Sequence, residues 1–151
     1  MADPARVAVV TALRQVRDGA DIPPPGTLLK NVTPTRAALE LPNSPYSILT
    51  NLAHADFWQT VWLNRLKGLP AKSFTEDWKT PDPEAWPELR QKFLQDLEEA
   101  LRIAESEPFA HRMKSDEVAI FTLLQIAIHD SYHLGQINLL KRQIRLASRA
   151  S

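Results

Sequence analysis

The sequence predicts an all-α fold, a four-helix bundle with long proline-rich connections, on three observations. Apolar residues recur at spacings of three and four along four long segments. No alternating strand pattern appears. Ten of the twelve prolines cluster in two places at the joins of those segments: six in residues 23–45 (Pro23, Pro24, Pro25, Pro34, Pro42, Pro45) and four in residues 70–87 (Pro70, Pro81, Pro83, Pro87). Proline inside a helix loses a hydrogen bond and clashes with the preceding turn, so both clusters mark connections.

The first helix is expected from Pro4 to Arg17, with Val7, Val10 and Leu13 as its apolar positions. A short turn starts at Thr33, with Pro34 as its first helical residue. The second long helix is expected to begin at Ser44 as N-cap with Pro45 at the first helical position, where the missing N–H costs nothing. It ends near Lys67, before Gly68 and Pro70. The third runs from Pro83 or Glu84 to Glu105, with Leu89, Phe93, Leu97, Leu101 and Ala104 on one face. The fourth opens at Ser115, with Asp116 and Glu117 at the positive helix end, and continues through His133 to about Arg145. Connections of this length permit crossovers instead of tight hairpins.

A chain of 151 residues fits one domain, expected over residues 1–151. Its 44% apolar and 24% charged content is ordinary for a globular protein. The 18 basic and 18 acidic side chains cancel, so no global charge draws the chain to nucleic acid or to an anionic membrane. Cysteine is absent, which excludes disulfides, zinc fingers and a cysteine nucleophile. No stretch reaches the roughly 18 apolar residues of a membrane span and no signal peptide precedes the first helix, so the expected location is the cytoplasm. The tail cations Lys141, Arg142, Arg145 and Arg149 read as a solvated helix end that complements the dipole.

Three of the four histidines stand where a metal would need them. His129 and His133, four apart on the fourth helix, lie about 40° apart around its axis. They fall in one arc with Thr122, Ile126, Ile137, Leu140 and Ile144, inside the apolar stripe. On the second helix, His54 shares its arc with Ser47, Asn51, Trp58, Val61 and Trp62. Both arcs must face the core. A lone histidine so placed is ordinarily a hydrogen-bonded core residue. Three together each need partners for two ring nitrogens, and a metal organises them at lower cost. Asp130 follows His129 where a zinc protease of the HExxH type carries Glu, which disfavours that class.

Around the histidines, Asp130 is a candidate outer acceptor for a ligand N–H or a salt-bridge partner for an arginine. Asp130 and Tyr132 are the candidates for catalytic work, although Tyr132 has packing as its commoner role. Trp58, Trp62 and Gln136 are candidate pocket residues. Trp78 and Trp86 read as packing down the second connection, and His111 as a solvent-exposed loop residue. Gly135 interrupts the fourth helix on a side away from the histidines and permits close approach of another helix, from this chain or from a second copy.

His54 in an NLAHxxxW setting, followed by HDSYHLGQI from His129 to Ile137, resembles the DNA-damage-inducible DinB-like superfamily of metal-binding four-helix bundles. The likeness covers nearly the whole chain in helix order. It implies that His54, His129 and His133 hold a divalent zinc, nickel or iron ion, that homodimers are common, and that the chain is kin to low-molecular-weight thiol S-transferases. Those include mycothiol-dependent maleylpyruvate isomerase and bacillithiol transferases.

Three neutral histidines leave a dication's charge uncompensated and a coordination position open, as catalytic sites do. Such an ion lowers the pKa of water or of a thiol. Of these two actions, the resemblance and the absence of cysteine favour the second, so the leading expectation is metal-dependent transfer of a small thiol to an electrophilic small molecule. Metal-dependent hydrolysis is the alternative, and a non-catalytic metal-binding stress protein is a third reading from another class.

Overall fold

A computed structural model describes residues 3–150; Met1, Ala2 and Ser151, part of the expected single domain, lie outside the described residues. In chain order the helices are α1 (Pro4–Asp18), α2 (Pro25–Lys30), α3 (Pro34–Ala37), α4 (Ile48–Lys67), α5 (Trp86–Glu105) and α6 (Asp116–Ala150), with 3-10 turns at Phe74–Glu76 and Pro83–Ala85. Every regular element among the described residues is helical. The four long helices are the four expected from periodicity, α3 is the short turn expected at Thr33 and Pro34, and the proline-rich first connection adds α2. Prolines open both short helices because the first helical position needs no N–H.

Several boundaries and faces differ from expectation. The N-cap of α4 is Ser47, whose hydroxyl accepts from the Thr50 amide at 3.1 Å, whereas the Ser44 hydroxyl donates to the Tyr46 carbonyl and Pro45 stays outside the helix. Both serines satisfy the capping rule, and only Ser47 also meets the apolar register of α4. Helix α1 buries Val9, Leu13 and Val16, so its inner face is rotated and Val7 is exposed. Helix α6 continues past Arg145 to Ala150. At the end of α4, Gly68 adopts φ +68°, and a side chain there would press against Arg112, whose amide donates to the Leu66 carbonyl at 2.7 Å.

Helix α4 packs on α5 and α6, and α1 packs on the same two from the opposite corner. Lys92 reaches Asp56 at 3.0 Å while Thr60 reaches Asp96 at 3.4 Å, so α4 and α5 run parallel. Arg6 bonds the Ala104 carbonyl and Arg17 meets Glu98, which makes α1 antiparallel to α5. Two adjacent parallel helices demand a connection that travels back along the bundle, about 30 Å for a helix of this length. Residues 68–85 do this alongside α4. Asn64 donates to the Pro70 carbonyl, Phe74 packs edge-on to Phe57 and tilted against Trp58, Asp77 meets His54, and Thr80 meets Thr50. The topology thereby lays a loop over the middle of α4, where His54 sits.

The core is one cluster drawn from all six helices. Trp86, 1% exposed and the first residue of α5, fastens that helix to the first proline-rich connection by donating its indole N–H to the Val32 carbonyl at 2.7 Å. No helix among the described residues is long and apolar enough to cross a membrane.

Candidate metal centre

Helices α4 and α6 bring His54, His129 and His133 together: one ligand atom from each lies within 4.8 Å of the others. An ion about 2.1 Å from each nitrogen in tetrahedral geometry would separate them by about 3.4 Å, so the cluster is near that size. The ring centroids of His129 and His133 are 4.4 Å apart, and those of His54 and His133 4.7 Å.

Hydrogen bonds orient two of the rings. His54 Nδ1 is 2.5 Å from Asp77 Oδ1, and His133 Nδ1 is 2.7 Å from Asn51 Oδ1. Both partner oxygens accept, so each Nδ1 carries the proton and donates it, and the lone pair is left on Nε2. His129 differs, because its buried Nδ1 has no hydrogen-bond partner among the described residues. A buried, unpaired imidazole nitrogen beside two oriented lone pairs fits an electrophile shared by all three rings, and neutral imidazole donors fit a borderline divalent ion.

The electrostatics agree. Burial, with His133 and His54 close by, pushes His129 down to about 4, and burial and His54 push His133 down to about 4. Both rings are neutral at physiological pH, which is the state that coordinates.

Asp77 is the residue that sequence reasoning missed. It stands in the second connection, where no periodicity marks a face. One carboxylate oxygen meets His54 and accepts from the Trp78 amide at 2.9 Å; the other accepts from the Trp58 indole at 3.0 Å. Trp78, at φ +59°, lays its ring on His54 with centroids 3.6 Å apart, and Tyr46 stacks on its far side at 4.3 Å. Trp78 is therefore part of the site as well as of the loop. Asn51 lies on the arc already drawn for α4, but its bond to His133 is visible only in three dimensions.

The remaining candidates separate clearly. Trp62 packs edge-on to His129 at 5.1 Å, and Trp58 holds Asp77. Gln136, one turn beyond His133, buries a side-chain oxygen that has no partner among the described residues. Tyr132 packs its ring edge-on to His133 at 5.0 Å yet is 63% exposed.

Asp130 serves neither expected role. It is fully buried, neither carboxyl oxygen has a hydrogen-bond partner among the described residues, and no arginine meets it. It lies about 100° round α6 from His129 and about 60° from His133, and bonds to neither ring. Burial raises its pKa well above the usual carboxylate range, with Asp56 and Asp96 adding to the effect. His111 is also corrected. Its side chain is only 8% exposed, bonded through Nε2 to Asp116 at 2.8 Å, while Nδ1 accepts from the Met113 amide.

The family model for the DinB superfamily matches residues 10–137, which includes every histidine of the cluster together with Asn51 and Asp77. Neither the curated proteins nor the solved structures contain a match. A likeness over that span, on an all-helical bundle that converges three histidines, places the chain in its family: it belongs to the DinB superfamily.

Proposed function

We propose that His54, His129 and His133 ligate one divalent ion (zinc, nickel or iron) and that the chain, as one cytoplasmic domain, transfers a low-molecular-weight thiol to an electrophilic small molecule. The observation that carries the ligand set is the pairing of oriented Nε2 lone pairs on His54 and His133 with an unpartnered nitrogen on His129. A divalent ion held there would supply Lewis acidity, lowering the pKa of a thiol toward neutrality. The chain's own residues do the rest. Asp77 and Asn51 fix the tautomers of His54 and His133, and such outer partners raise ligand basicity. Trp58, Trp62 and Trp78 surround the centre with aromatic surface that excludes water. The chain has no cysteine, so the sulfur comes with the thiol.

We further propose that the protein is a homodimer joined along α6. Support comes from Phe121, Ile128, Tyr132, Leu139 and Leu146, all exposed and spaced by sevens and fours, hence within about 40° of one another around the helix. Gly135 lies on this stripe, and nothing in the described chain comes within 4 Å of where its Cβ would be. Close approach by another helix of the same chain is thereby removed, and a second copy is the remaining reading.

The experiment is cobalt substitution followed by thiol addition. A sulfur-to-cobalt charge-transfer band, together with thiol-dependent consumption of an electrophile that is lost in His129→Ala, is expected. Cleavage of ester or amide substrates without thiol, and no spectral change with it, would replace transfer by hydrolysis; neither activity, with cobalt bound, would favour a non-catalytic protein.

A further inference from the structure

Four cations converge on a second cavity, separate from the histidines. It has a volume of about 420 Å³ and is enclosed by α3, the start of α4 and the last third of α6. Arg36 enters from α3, and Lys141, Arg142 and Arg145 from α6. Val32, Ile48 and Ile144, all buried, supply an apolar floor, and the amides of Asn31 and Asn138 stand at its wall. No acidic residue lines it.

The usual explanation for a basic helix end does not account for this grouping. Helix α6 continues to Ala150, so only Arg149 stands in its last turn. The dipole effect fades within that turn, which leaves Lys141, Arg142 and Arg145 without it. Ion pairing does not account for them either. None of Arg36, Lys141, Arg142 or Arg145 has an acidic partner within 4.0 Å among the described residues, whereas Arg6, Arg14, Arg17 and Arg102 each do. Lys141 uses one donor on the Leu28 carbonyl and keeps two. Burial lowers its pKa, and the nearby charges of Arg36 and Arg145 add to the effect. In a chain whose overall charge is zero, this is a local excess gathered from two elements far apart in sequence.

We propose that this cavity binds a small organic oxyanion, a phosphate ester or a di- or tricarboxylate, with its charged groups on Arg36, Lys141 and Arg145 and its carbon body on Val32, Ile48 and Ile144. Guanidinium forks match the paired oxygens of phosphate and carboxylate alike. The volume lies in the range of small-molecule pockets. An apolar floor beneath a cationic rim favours a compact organic anion over a polymer backbone, which needs an extended basic track. This reading does not depend on the metal assignment.

Calorimetric titration of the full chain with pyrophosphate, and in parallel with citrate, tests it. One saturable site per chain is expected for at least one of the two, and which of them binds distinguishes a phosphoryl from a carboxylate ligand. The double variant Arg36→Gln/Arg145→Gln alters two exposed side chains and should keep the wild-type melting curve while binding at least about tenfold more weakly, through loss of charge-assisted hydrogen bonds. Arg149→Gln and His129→Ala should leave affinity unchanged. No saturable binding of either probe at millimolar concentration overturns the proposal. So does equal binding by the double variant, loss of binding in His129→Ala, or a requirement for anionic vesicles or single-stranded DNA in place of the small probes.

Discussion

Asp77 and His54, 23 residues apart, meet at 2.5 Å because the connection between two parallel helices has to return along α4. The carboxylate is held by the Trp58 indole and the Trp78 amide, so its position is set before any ligand arrives. A carboxylate in that place raises the basicity of the opposite ring nitrogen.

Metal content should respond in two grades. His54→Ala, His129→Ala and His133→Ala should each lose nearly all metal from protein purified without added metal, as measured by elemental analysis. Asp77→Ala should retain the site but weaken it roughly 10- to 100-fold in chelator competition. His111→Ala should leave metal untouched and lower stability by about 1 kcal/mol through its lost hydrogen bonds. Wild-type affinity in Asp77→Ala would show that the carboxylate only anchors the loop.

The two grades correspond to what the sequence could disclose. His129 and His133 are legible because a four-residue spacing on a helix guarantees a shared face, and His54 because it sits in an apolar arc. Asp77 is not, since a loop has no period from which to read a direction. Asp130 shows the opposite failure. Its place in the sequence of α6 does not say which helix lies beside it; in the fold it is fully buried with no hydrogen-bond partner among the described residues, its pKa raised by burial first and then by Asp56 of α4 and Asp96 of α5. Serine type with Pro45 next to it favours Ser44 as a cap, but α4 begins where Ile48 and Leu49 are buried, so Ser47 takes that place.

Stability of the metal-free protein should fall with acid in a defined window. His129 and His133 titrate near 4 when folded and near 6.5 in a model peptide, so between those values the unfolded chain binds protons that the native one refuses. Native stability is then full above about pH 6.5 and declines toward pH 4, by up to about 1.4 kcal/mol per pH unit for each ring. Denaturant unfolding of chelator-treated protein at about pH 7.5 and about pH 5 measures this. Metal should steepen the dependence, because coordination also requires neutral imidazole. A metal-free protein equally stable at both values would mean that the two rings are not desolvated.

The exposed stripe on α6 makes self-association testable apart from the metal. Wild-type protein should sediment as a dimer at micromolar concentration, and Gly135→Arg and Ile128→Asp should be monomers that bind metal normally. Gly135→Ala, whose Cβ meets open space within the chain, should gain up to about 1 kcal/mol of helix propensity in the monomer while weakening the dimer, because a second copy packs against that glycine. A monomeric wild type would leave the stripe without this partner.

Trp78 separates backbone strain from ring stacking. Its φ of +59° is a left-handed conformation that costs a residue with a Cβ roughly 1 kcal/mol or more, and it is held by stacking between Tyr46 and His54 and by the hydrogen bond its N–H donates to the Asp77 carboxylate. Trp78→Ala removes the rings and keeps the strain; Trp78→Gly removes both. The glycine variant should therefore be more stable than the alanine variant by about 1 kcal/mol, the reverse of the order at an ordinary helical or extended position. Both should uncover one face of His54, which quickens exchange of a bound ion with chelator. If alanine proves the more stable, the left-handed turn is not what the tryptophan sustains, and its contribution is contact with His54 alone.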